Sequence, residues 1–171
     1  MRNRIRFFAP AATLIATVST LSSPVGLKQS DQPVPPRLLL QVHVKGDQIY
    51  ACRSESSQFA WILKAPDARL LDKKDQPIGK HFAGPTWQIS DGSQVTAKAS
   101  MSVASPDAAS IPWLLLKVVS HEVNGVLSRA TSIQRLNTKG GKAPASGCEA
   151  DHVNQEVRVP YSADYLFYAP K

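Results

Sequence analysis

Four histidines, His43, His81, His121 and His152, are the side chains best placed by type to move a proton or bind a metal near neutral pH. Their spacing supplies neither motif. His121 is followed by Glu122 but lacks the second histidine one helical turn on that a zinc-protease helix needs, and no paired-histidine or cysteine spacing exists elsewhere. No Gly-x-Ser-x-Gly elbow is present, and Ser93 falls in a turn, not at a strand-to-helix corner. "TKGGKAP" (Thr138–Pro144) is glycine-rich, but Ala143 follows Lys142 where a phosphate loop needs Ser or Thr. It reads as a surface loop. A dinucleotide fingerprint is missing too, so no cofactor, no metal and no catalytic residue is assigned.

The polar residues that stand out lie on predicted strands. His81 precedes an Asp-Gly turn, Gln134 and Arg135 interrupt an apolar run, and Tyr161 and Tyr165 lie near the end. An arginine on a half-buried strand needs a carboxylate, a carbonyl or a ligand to meet its charge. His81, Arg135, Tyr161 and Tyr165 are therefore the ligand-binding candidates, for a small anionic or sugar-like molecule. An internal polar network is the plainer alternative. Gln134 and Arg135 point to opposite faces of a strand, so one pocket takes at most one of them.

The elements that must position these residues are short and β-like. "LLLQVHV" (Leu38–Val44) runs into a turn at Lys45-Gly46-Asp47, and "QIYACR" (Gln48–Arg53) follows. "FAWILKA" (Phe59–Ala65) stops at Pro66. Asp91-Gly92 signals a hairpin. A two-residue turn would set Trp87 opposite Thr96; adding a loop residue sets Ile89 opposite Val95 and Trp87 opposite Ala97, which keeps one face apolar and is preferred. "IPWLLLKVVS" (Ile111–Ser120) is apolar enough to predict a central strand buried on both faces. "VLSRATSIQRLNT" (Val126–Thr138) predicts a long alternating strand, and "EVRVPY" and "DYLFYA" two final ones. The expected fold is all-β, mainly antiparallel: a single-domain β-sandwich or flattened β-barrel with at most one or two short helices.

The ends of the chain carry different information. Arg2, Arg4 and Arg6, an apolar run from Phe7 to Leu21 and small residues after it read as a secretory signal peptide over residues 1–23. That run is too short to span a bilayer core of roughly 30 Å. Residues 24–37 form a proline-rich linker, and 38–171 a single β domain. The formal net charge is +7, falling to +4 once the three leader arginines are removed. The remaining cations are scattered, with Lys73-Lys74 and Lys139/Lys142 the only small clusters. That argues against nucleic acid as a partner. Export, periplasmic or extracellular, makes Cys52 and Cys148 a disulfide that closes a loop of about 95 residues.

"QIYACR", "FAW", "GKHFAGPTWQISDGSQV", "IPWLLLKVVS", "IQRLNTKGGKAPASGC" and "VPYSADYLFY" resemble, in order, a family of secreted bacterial and fungal proteins, domain of unknown function 3455. The likeness covers roughly residues 40 to 169. His81, Gly84, Pro85, Trp87, Asp91, Gly92, Pro112, Trp113, Gln134, Arg135, Cys148, Tyr161 and Tyr165 look like its pattern; Ala97 stands where a glycine is expected. The resemblance implies an exported, mostly β protein and transfers no activity. The expected function is a non-catalytic binding or envelope-associated module, read as a monomer, with a small-molecule ligand and no stable membrane insertion after leader cleavage. The rivals are a secreted hydrolase or metal-dependent enzyme using His81 with Asp91 or His121, and a purely structural surface protein.

Overall fold

A computed structural model describes residues 36–56 and 58–170; the expected signal peptide and nearly all of the linker lie outside the described residues. Eight strands follow in chain order: β1 (Arg37–Glu55), β2 (Gln58–Leu71), β3 (Pro77–Phe82), β4 (Thr86–Ile89), β5 (Gln94–Val103), β6 (Trp113–Glu122), β7 (Ser132–Gly140) and β8 (Glu156–Ala169). Each pairs antiparallel with the next, and β8 returns to pair with β1, so the sheet closes into a barrel. Closure removes the sheet edges that a sandwich would expose. Of the two expected architectures, the barrel is the one formed. No helix among the described residues is long and apolar enough to cross a membrane.

Period-two alternation sets what lies inside. On β8, Tyr161, Ala163, Tyr165, Phe167 and Ala169 are buried while Ser162, Asp164, Leu166 and Tyr168 between them are not. Val42, Val44, Leu70, Val95, Leu116 and Ile133 join them in the core. Eight strands enclose a space that side chains can fill or that can hold one small ligand.

Five expectations need correction. No turn forms at Lys45-Gly46-Asp47: β1 runs straight through, paired on both sides with Arg69, Ala68 and Asp67 and with Ser162, Tyr161 and Pro160. Pro66 does not end β2. It sits opposite Gln48, beside the register shift between Ile49 and Tyr50, where irregular pairing tolerates its missing N–H. Pro160 likewise lies within β8, which is one strand instead of two. β6 is not buried on both faces, because a closed barrel gives every strand an outer wall. Leu116 is 4% exposed, but Leu115 is 37% and Val119 53%. Finally, Val126–Arg129 forms a 3-10 turn, and β7 starts only at Ser132.

The hairpin register also differs from both expected pairings. Trp87 faces Val95 and Thr86 faces Thr96. Ile89 N–H donates to Ser93 O at 3.1 Å, leaving a three-residue loop, Ser90-Asp91-Gly92. The slip goes the other way from the preferred reading, yet the reason behind that reading holds: an apolar side chain meets an apolar one.

Candidate functional site

The four candidates gathered from the sequence converge inside the barrel. Arg135 on β7 is directly opposite Tyr165 on β8, and Tyr165 is opposite Val42 on β1. Tyr161 projects inward two pleat repeats earlier on β8, opposite Gly46 and Gly140. On the far wall, His81 (β3) pairs with Trp87 (β4). Their rings stack at 4.2 Å with planes 9° apart, and Tyr165 meets both edge-on at 5.4 Å. Gln134 faces the outer wall, where it accepts a hydrogen bond from the Tyr168 hydroxyl at 3.3 Å. The opposite-face expectation for Gln134 and Arg135 therefore holds.

His81 is 3% exposed, and its Nδ1 donates to the Thr86 carbonyl at 2.8 Å. Burial pushes its pKa down to about 4, against the Thr86 hydrogen bond, and the Arg135 charge adds to the depression. The ring is neutral at physiological pH. Burial also raises Tyr161, Tyr165 and Tyr50, each opposed by Arg135. One guanidinium thus acts on every titratable group of the interior. Arg135 itself is half-buried, and its Nε and one terminal nitrogen donate to the Pro112 carbonyl at 3.1 and 2.8 Å. Among the described residues no carboxylate lies within ion-pair distance of it.

Two polar atoms buried here lack a partner of ordinary geometry. The Trp87 indole N–H is buried without a partner, and so is the Tyr161 hydroxyl, although Tyr165 and Gln48 are the polar groups that face it. Buried polar groups are normally paired, so two orphans in the barrel that also holds the half-buried Arg135 are informative. The barrel end above them is covered by backbone. Tyr50 donates to the Gly141 carbonyl at 2.6 Å, and Thr138 to the Ile111 carbonyl at 2.6 Å. Gly141 has φ +81, and a Cβ there would come within 2.8 Å of the Tyr161 Cβ, so only glycine fits this lid. The segment after it is tied down by the Cys52–Cys148 disulfide and by Trp61, whose indole N–H donates to Ser146 O at 2.9 Å.

The enzyme reading paired His81 with Asp91 or His121, and no hydrogen bond or ion pair joins these groups among the described residues. Asp91 belongs to the opposite end of the barrel. Its carboxylate accepts from the Ser93 N–H (2.8 Å), the Ser93 hydroxyl (2.6 Å) and the Val126 N–H (2.8 Å), which together hold its pKa below the usual range, the Ser93 hydroxyl most. His121 lies on the exposed face of β6 and donates from Nε2 to the Ala130 carbonyl at 2.7 Å.

Two groupings escaped the sequence because only strand register or loop folding creates them. His43 Nδ1 donates to Asp164 Oδ1 at 2.8 Å, and Asn137 Nδ2 donates to Asp164 Oδ2 at 2.8 Å, across β1, β8 and β7. Glu149, Asp151 and His152 bring potential metal-ligand atoms within 4.8 Å of one another in the disulfide-tied segment. The first is invisible in one dimension; the second lies within four residues of sequence, and only the fold of its loop turns the ligand atoms together.

No curated protein and no solved structure matches the chain. The model of one family does, over residues 33–169, which is nearly everything the structure describes. The chain belongs to that family, whose description is "Protein of unknown function (DUF3455)".

Proposed function

We propose that this is an exported, non-catalytic binding or envelope-associated module whose barrel interior takes a small anionic or sugar-like ligand. Arg135, His81, Tyr161 and Tyr165 are its contacts. The observation that carries the reading is a guanidinium with no carboxylate partner among the described residues, beside a buried indole N–H and a buried tyrosine hydroxyl that lack partners of ordinary geometry. An oxyanion or a hydroxyl-rich molecule supplies the missing acceptors. The neutral His81, without an acidic partner, suits binding better than general-base chemistry. Export is supported by the disulfide, which persists in oxidising compartments, and by the leader pattern.

The test is a thermal-shift panel on the leaderless protein with phosphate, sulfate, citrate, acetate and glucose. A ligand at a hundredfold excess over its Kd stabilises by about 2.7 kcal/mol, a rise of roughly 5–10 °C in Tm for a domain of this size. At least one compound should give such a rise in the native protein and none in Arg135→Gln. A flat panel, or a rise unchanged in Arg135→Gln, would refute the reading and leave the structural-protein alternative.

A further inference from the structure

The outer wall carries charges whose pairing is unfavourable on its face. In the register of β1, β2 and β3, Lys45 lies directly opposite Arg69, and Arg69 directly opposite Lys80. All three point outward and are exposed. Like charges on directly opposed residues repel and destabilise a sheet. One row along, Asp47 lies opposite Asp67, a second like-charge pair.

The two rows are treated differently. The acidic pair has its counter-ion built in: Arg158 on β8 donates from Nε to Asp47 Oδ2 at 3.0 Å and from a terminal nitrogen to Asp67 Oδ2 at 2.6 Å. The basic row is met only at its ends. Lys45 has Asp75 at 3.5 Å, with both side chains more than half exposed, and the Lys80 ammonium rests 5.1 Å from the Phe82 ring centroid. Arg69, at the centre, has no carboxylate within ion-pair distance among the described residues. The nearby Asp72 carboxylate is engaged by the Lys74 and Gln76 N–H groups. A depression of about 480 Å³ lies over this row, lined by Lys45, Asp47, Asp67, Arg69 and Lys80.

We propose that the Lys45–Arg69–Lys80 row is a second binding site, on the outer wall, for a ligand carrying two or more phosphate-type groups in line. The row spans two strand spacings, roughly 10 Å, longer than a single oxyanion can bridge. Arg69 presents a planar fork suited to two oxygens of one group, and the flanking lysines act as point charges for its neighbours. The ligand plays for the basic row the part that Arg158 plays for the acidic one. This site is independent of the interior.

The experiment uses tripolyphosphate as probe, titrated calorimetrically into the leaderless protein at low salt, with orthophosphate beside it. Tripolyphosphate should bind at least tenfold more tightly than orthophosphate, and Arg69→Gln should weaken it at least tenfold. Lys98→Gln is the control: Lys98 faces Lys117 across β5 and β6, a like-charge pair elsewhere on the barrel, and its loss should leave binding unchanged. Without ligand, Arg69→Gln should melt no lower than the native protein, because the substitution relieves repulsion. A parallel arm sediments the protein with vesicles containing phosphatidylglycerol. Co-sedimentation lost in Arg69→Gln assigns the site to lipid headgroups, and its absence alongside tripolyphosphate binding assigns it to soluble oligophosphates. No tripolyphosphate binding, or equal losses in Arg69→Gln and Lys98→Gln, overturns the proposal.

Discussion

At one end of the barrel, Leu127 is fully buried beneath a 3-10 turn whose N–H groups are taken up by Asp91 and Ser93. At the other, Gly141 and Pro112 lie at the mouth of an interior that holds an arginine, three tyrosines, one with an unpartnered hydroxyl, and an unpartnered indole N–H. The first end is apolar underneath and satisfied above. Gly125 lets the turn close, since a Cβ there would lie 2.5 Å from Asp91 Oδ2. The second end spends buried polar groups without pairing them all, which lowers stability and is retained in folds chiefly for function. The Asp91-Gly92 hairpin thus belongs to the satisfied end, while the histidine ten residues earlier lies with the candidate contacts.

The largest expected effect is on the tie at the polar end. Replacing Cys52 and Cys148 with serine frees a loop closed over 96 positions of sequence. The chain-entropy relation puts the loss at about 4–5 kcal/mol, read from urea midpoints with and without the substitutions. A loss below about 1 kcal/mol would mean that the hydrogen bonds of Trp61 and Cys52 already hold that segment.

Leu127→Ala comes next, at about 2–5 kcal/mol for a fully buried leucine. It sharpens the comparison because ligand-induced stabilisation should survive it unchanged. If it abolishes that stabilisation, the two ends are not separate.

His81 predicts a pH dependence. Its folded pKa is near 4, below the unfolded value of about 6.5, so the unfolded chain binds the extra proton between those limits. Its contribution is complete above about pH 6.5 and drains away as pH falls towards 4, on the order of 3 kcal/mol in all. Urea melts at pH 7 and pH 4.5 measure it. His81→Phe keeps a ring against Trp87 and should flatten that window, whereas an unchanged slope would assign the acid sensitivity to the carboxylates.

Tyr161→Phe is the smallest perturbation. It removes a hydroxyl with no partner of ordinary geometry, so stability should hold steady or rise by up to about 1 kcal/mol. Ligand-induced stabilisation should fall nonetheless. A clear loss of stability instead would show that the hydroxyl is paired in solution.

Alternation made the interior legible. His81, Arg135, Tyr161 and Tyr165 could be chosen as polar residues on or beside predicted strands, but that all four turn to one interior is set by the strand pairing. The cysteine pair was legible from the leader pattern and the even cysteine count. Strand ends were harder. Gly46, Pro66 and Pro160 look like breaks, but pairing with neighbours on both sides holds the chain extended through them. The outer-wall row was beyond reach for a different reason: Lys45, Arg69 and Lys80 are scattered in sequence, and only the register of three strands lines them up. The same holds for His43, Asp164 and Asn137.

If the Pro112 end binds a ligand and the Asp91 end does not, nitrogen-15 NMR during titration with phosphate, citrate and acetate will separate them. For at least one of these the Trp87 indole N–H and the Arg135 Nε–H should show saturable shifts, with the Ser93, Val126 and Leu127 amides unmoved. Indole and guanidinium signals that stay fixed, or shifts of equal size at both ends, would contradict that assignment.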